Sequence, residues 1–119
     1  MDKAPALSSH LPDMLGEGWK SATFGLFRDG VEICHLRRED PAIALLKYAP
    51  GARVPYHLHT GLETILVLDG SQSDERGTYK TGDLVLNPEG TSHSVWSEHG
   101  CVILITWERP VKVLDEDNP

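Results

Sequence analysis

Apolar residues in this chain gather in short runs separated by Gly, Pro, Asp and Asn, the punctuation of strands and tight turns. SATFGLF (21–27) and VEICHL (31–36) flank Arg28-Asp29-Gly30 and read as a β-hairpin closed by an Asp-Gly turn. The loop RREDP comes next, then AIALLKY (42–48) makes a third strand and Ala49-Pro50-Gly51 turns the chain. Beyond it a strand carries His57 and His59, Thr60-Gly61 turns, and Glu63 opens the strongly β-forming run TILVL, which Gly70 is expected to end. A hairpin through Ser73-Asp74-Glu75-Arg76-Gly77 has a charged tip expected to lie in water and to carry no function. Gly82-Asp83 then turns into LVL (84–86), and Asn87-Pro88-Glu89-Gly90 turns into a strand that starts near His93. CVILITW (101–107) reads as a buried central strand. The whole is an all-β barrel with an N-terminal arm over 1–18, bearing one helical turn near 12–15, and an acidic, mobile tail over 111–119.

Strand geometry gives the chemistry. Side chains two apart share a face, so His57 and His59 stand side by side, while Glu63 and His93 return from other parts of the wall. Parity from His93 turns Val95 and Ser97 inward and Trp96 outward; parity from Glu63 turns Ile65 and Val67 inward. Three imidazoles and a carboxylate pointing into a small barrel are costly to bury unless something satisfies them together, and a metal ion does so. The other histidines, His10, His35 and His99, are read as structural or surface residues. Tyr48, Tyr56, Arg53 and Trp107 are candidates for the rim of a pocket. Few spare acids or bases accompany the four, so if there is turnover it is metal-centred redox chemistry rather than hydrolysis or isomerisation.

At 119 residues the chain is long enough for one domain that buries about two-thirds of its unfolded surface. A net charge of −7 disfavours nucleic-acid binding, which needs clustered Lys and Arg. No apolar run approaches the roughly 20 residues of a membrane span. MDKAPALSSH lacks the apolar core of a signal peptide, so the expected compartment is the cytoplasm, with Cys34 and Cys101 as reduced, buried thiols. TILVL and CVILITW are apolar on both faces. Something must cover the outer one, and a homodimer packed through its outer sheets is the expected answer.

GARVPYHLHTGLETILVLDG and GDLVLNPEGTSHSVWS resemble the two motifs of the cupin superfamily. Gly51, His57, His59, Glu63, Gly70, Gly82, Pro88, Gly90 and His93 fill the fixed positions, an agreement with a chance on the order of 10⁻¹² at average residue usage. The one departure is Ser97, where the second motif has Asn. The wording is closest to the cupin domain of ChrR-type anti-sigma factors, over roughly residues 20–110. That resemblance implies a jelly-roll (double-stranded β-helix) barrel over 19–110 and a zinc ion held by His57, His59, Glu63 and His93, with iron, manganese or nickel in matching positions of other cupins. Sigma-factor binding does not carry over, since in that family it belongs to a separate helical domain. The resemblance implies one of two functions: a metal-dependent sensing or binding module for a small ligand, or a small non-haem iron or manganese dioxygenase. Four protein ligands close a tetrahedral zinc, whereas octahedral iron or manganese keeps positions open.

Overall fold

In a computed structural model, residues 8–114 are described. The chain forms β1 (Gly25–Arg28), β2 (Val31–Arg37), β3 (Ala42–Tyr48), β4 (Arg53–Leu58), β5 (Glu63–Asp74), β6 (Gly77–Lys80), β7 (Leu84–Asn87), β8 (Ser92–Trp96), β9 (Cys101–Trp107) and β10 (Lys112–Val113). Every pairing among them is antiparallel, and no α-helix occurs among the described residues. One side of the barrel runs β1-β2-β3-β9-β5-β7 and the other β6-β5-β8-β4-β10. The fold is the all-β barrel that the strand pattern predicts, arranged as the jelly roll that the cupin resemblance implies.

β5 belongs to both sides. Glu63–Leu66 lie between β9 and β7, and Ser71–Asp74 pair with β6, with Ser73 and Asp74 also paired to β8. Gly70 therefore does not end the strand as the sequence suggested: β5 passes through it and changes sheets there. Its φ of 76° lies in the left-handed region that glycine adopts without strain, and the missing Cβ leaves room for the Gly100 carbonyl. A bulge between Val67 and Asp69 flips the parity of the strand beyond it, so Gln72 and Asp74 turn inward where unbroken alternation would turn Ser73.

Val31, Leu46, Ile65, Val67, Ile103 and Ile105 pack the barrel interior. Outside, Leu45 of β3, Val102 of β9 and Leu68 of β5 form a second cluster, roofed by Met14, Trp19, Ala22 and Phe24. The outer apolar face thus finds much of its cover within its own chain. The residues before β1 make a turn in which the Asp13 carbonyl accepts from the Gly16 and Gly18 backbone N–H groups, then a 3₁₀ turn at Gly18–Ser21, a few residues later than expected. After Pro110 the expected mobile tail instead joins the sheet: Lys112 and Val113 pair with Leu58 and His57 of β4. Residues 1–7 of the arm and 115–119 of the tail lie outside the described residues.

Gly70→Ala meets a positive φ and the Gly100 carbonyl, so thermal unfolding should show a loss of about 1–3 kcal/mol or more; an unchanged midpoint would contradict the close approach. Cys101 is buried and its thiol is pushed up to about 11, chiefly by burial, so it should react with iodoacetamide at neutral pH only on unfolding. Rapid labelling of the folded protein would contradict that.

Candidate metal centre

Antiparallel register brings the four residues together. His57 of β4 is the direct partner of His93 of β8, and a bulge between Val54 and His57 sets that pairing. His59 stands one residue beyond β4, pinned on both sides of its backbone: its N–H donates to the Thr91 carbonyl at 2.9 Å and its carbonyl accepts from Gly90 N–H at 2.9 Å. Glu63 opens β5 between Asn87 and Trp107, its register partners on the two neighbouring strands. One ligand atom from each of His57, His59, Glu63 and His93 lies within 4.8 Å of all the others, and all four side chains are buried. The three imidazole centroids are 4.6, 4.7 and 5.1 Å apart, edge to face.

Hydrogen bonds behind each ring fix its tautomer. His57 Nδ1 lies 2.8 Å from the Pro55 carbonyl, which can only accept, so Nδ1 carries the proton. The Thr91 hydroxyl donates to the Pro88 carbonyl at 2.6 Å and is left to accept from His59 Nδ1 at 2.9 Å. His93 Nδ1 donates to Asp74 Oδ2 at 3.0 Å. Every Nε2 is thereby left with its lone pair, the state a metal ligand requires. Nε2 of His59 and of His93 is buried with no hydrogen-bond partner among the described residues, an arrangement costing about 1–3 kcal/mol per group unless a cation satisfies it. Glu63 is held from both sides: Trp107 Nε1–H donates to Oε2 at 3.0 Å and Asn87 Nδ2–H to Oε1 at 3.1 Å. Oε1 is 3.3 Å from His59 Nε2 and 3.8 Å from His93 Nε2. Those gaps are close to the edge of a coordination polyhedron with bonds of about 2.1 Å, so the donor set fits one divalent ion.

Charge and burial agree with this. Burial holds the His57 imidazole below its ordinary value, against the Pro55 carbonyl and Glu63, so it stays neutral. Burial pushes Glu63 upward, but the facing imidazoles of His59, His57 and His93, which favour an ionised carboxylate whenever they carry a second proton, outweigh it and keep the carboxyl below its usual range.

One side of the cluster opens on a cavity of about 80 Å³. His57, Glu63 and His93 reach its wall among Leu46, Val54, Ile65, Val95, Ile105 and Trp107, with Val111 and Val113 closing it beside β10. Of the four rim candidates, Trp107 and Tyr48 line this cavity, whereas Arg53 and Tyr56 lie on a separate open groove of about 780 Å³. Ser97, fully buried, donates to the Ser71 carbonyl at 2.6 Å and serves the wall rather than the centre. Val95 is in the core as parity predicted. What sequence reasoning missed is Asp74, placed in a hairpin tip expected to be solvated and instead buried against His93. Its signal was hidden by the bulge in β5. Asn87, read only as a turn residue, was missed as well.

Comparison with known proteins agrees with the architecture. The ChrR cupin-like domain family matches residues 19–111. The anti-sigma-E factor ChrR of Cereibacter sphaeroides is 31% identical over 111 residues, covering 91% of this chain and 52% of that protein. The structure of Rhodobacter sphaeroides SigE in complex with the anti-sigma ChrR superposes with a TM-score of 0.68 at 27% identity, over 74% of this chain and 50% of that one. An acetylacetone dioxygenase from Acinetobacter johnsonii shares the fold, with a TM-score of 0.75 at 13% identity over 100% of this chain and 85% of that one. The chain spans about half the length of ChrR and 28% of a second curated relative. With a family match over most of its length and the motif residues gathered at one point inside the barrel, this chain belongs to the ChrR cupin-like domain family.

Proposed function

We propose that this domain binds one divalent metal ion, zinc, through His57, His59, Glu63 and His93, and acts as a ChrR-like metal-dependent sensing or binding module for a small ligand. The observation that carries the reading is the fixed tautomer of all three histidines, which leaves each Nε2 unprotonated at a shared point beside the Glu63 carboxylate. Asn87 and Trp107 hold that carboxylate so that it cannot swing away on protonation of a neighbour. A bound divalent ion would supply Lewis acidity and a template for a small oxygen-bearing molecule. The mostly apolar walls and the volume of about 80 Å³ suit a small occupant.

The cavity also favours the second reading, a small non-haem iron or manganese dioxygenase, because three of the four residues face it rather than a closed wall. Free thiols at Cys34 and Cys101 support a reducing compartment, the cytoplasm. Leu84 and Leu86 leave an exposed apolar strip on β7 that a second copy would bury, which supports a homodimer. A light-scattering mass of a single chain at micromolar concentration would contradict it.

Elemental analysis of protein purified without chelators should give close to one zinc per chain, and His57→Ala or His93→Ala should reduce it severalfold or more. Iron or manganese at that stoichiometry would shift the reading to the oxygenase, and no metal would overturn both.

The pH dependence has a definite sign. The folded values of His57 and Glu63 both lie below their unfolded values of about 6.5 and 4.3, so the unfolded chain takes up protons first. Their contribution is fully present above about pH 6.5 and is lost as the pH falls, and metal release runs in the same direction. The melting temperature of metal-free protein should fall between pH 7.5 and 5.5. A rise over that interval would contradict the assignment.

A further inference from the structure

Asp74 and Asn87 stand behind two different members of the centre, and one side chain joins them. Arg76, at the tip of the β5–β6 hairpin, donates from Nη2 to Asn87 Oδ1 at 2.8 Å and reaches Asp74 Oδ2 at 3.4 Å. Its backbone N–H also donates to Asp74 Oδ1 at 2.8 Å, where the Tyr79 hydroxyl donates at 2.9 Å. Asn87 is fully buried and its orientation is forced: a guanidinium only donates and a carboxylate only accepts, so Oδ1 faces Arg76 and Nδ2 faces Glu63. The contacts make one chain, Glu63–Asn87–Arg76–Asp74–His93, that leaves the centre at one residue and re-enters at another. Asp74 is almost wholly buried, yet the Arg76 side chain keeps 53% of its surface exposed. A charged residue on a tip that looks solvated is the clasp between two buried groups.

We infer that Arg76 is a positioning residue for the metal centre, holding Asp74 and Asn87 so that His93 and Glu63 are aimed together. The inference rests on the proposal that these two residues are metal ligands. The sign of the effect separates this role from simple charge. Arg76 is a cation near a cation site, so Coulomb repulsion alone predicts that its removal tightens divalent binding. Loss of a positioning contact predicts the reverse, by the 10- to 100-fold that outer contacts typically contribute to metal affinity. Arg76 is half exposed at a hairpin tip and lies outside both apolar clusters, so what its truncation takes from the fold is the contacts to Asp74 and Asn87 rather than core packing.

The test is a chelator competition with zinc, together with the visible absorption of the cobalt(II)-substituted protein, on wild type, Arg76→Ala and Lys80→Ala. Lys80 is exposed on the same hairpin, so its removal takes away a positive charge without touching the relay. Arg76→Ala is expected to weaken zinc about tenfold or more and to alter the cobalt bands, while the metal-free melting temperature moves by a few degrees at most; Lys80→Ala should leave affinity unchanged or tighter. Equal or tighter zinc binding by Arg76→Ala, or identical cobalt bands, overturns the positioning role while leaving the ligand assignment intact. Wild-type protein that binds neither ion overturns both. If Arg76→Ala fails to fold, Arg76→Met, which keeps the aliphatic stem, gives the same readout.

Discussion

Four polar groups share one small buried volume, and that is the constraint around which this barrel is arranged. Three imidazole lone pairs and one carboxylate cannot satisfy one another: the lone pairs accept and so does the carboxylate. Each outer nitrogen is committed to the Pro55 carbonyl, the Thr91 hydroxyl or the Asp74 carboxylate, so none of the rings can turn to relieve the conflict. A shared cation is the one partner that meets all four demands at once. The pairing of β4 with β8, the bulge that puts His57 opposite His93 and the backbone bonds that pin His59 to the 90–91 turn all serve this convergence.

β5 does the most for the centre. It begins with Glu63, bends between sheets at Gly70, and ends at Asp74, so one continuous strand contributes a carboxylate to the cluster and another behind it. The two acids have separate tasks. Glu63 faces the imidazole lone pairs. Asp74, held below the usual carboxylate range against its burial by His93, the Arg76 amide and Tyr79, fixes the proton on His93 Nδ1. Strands place His57, Glu63 and His93, the 90–91 turn pins His59, and the Arg76 link comes from a hairpin tip.

Much of this was legible in the residues, for reasons that differ from place to place. The strands arise from short β-forming runs between turn residues, and the four clustered residues from motif spacing, since His-x-His places two rings on one face regardless of tertiary detail. Asp74 was not legible because a bulge in β5 reverses inward and outward positions, and a bulge leaves no mark in composition. Asn87 looked like a turn residue because Asn-Pro-Glu-Gly is a turn, yet it is the last residue of β7 and points inward at Glu63. The tail after Pro110 read as mobile, but Val111 and Val113 line an apolar cavity, and Lys112 and Val113 cover an edge of β4. A second chain was inferred for the outer sheet because sequence shows which faces are apolar and not which segment lies over them; Trp19 and Met14 cover part of it.

An ion held by three Nε2 atoms and one carboxylate oxygen is the central claim. X-ray absorption at the metal K edge of protein purified without chelators addresses that coordination shell directly. The expected shell has three imidazole nitrogens, identified by their outer-ring scattering, and at least one further oxygen at about 2.0–2.2 Å. A shell containing sulfur, or one without imidazole scattering, would contradict it.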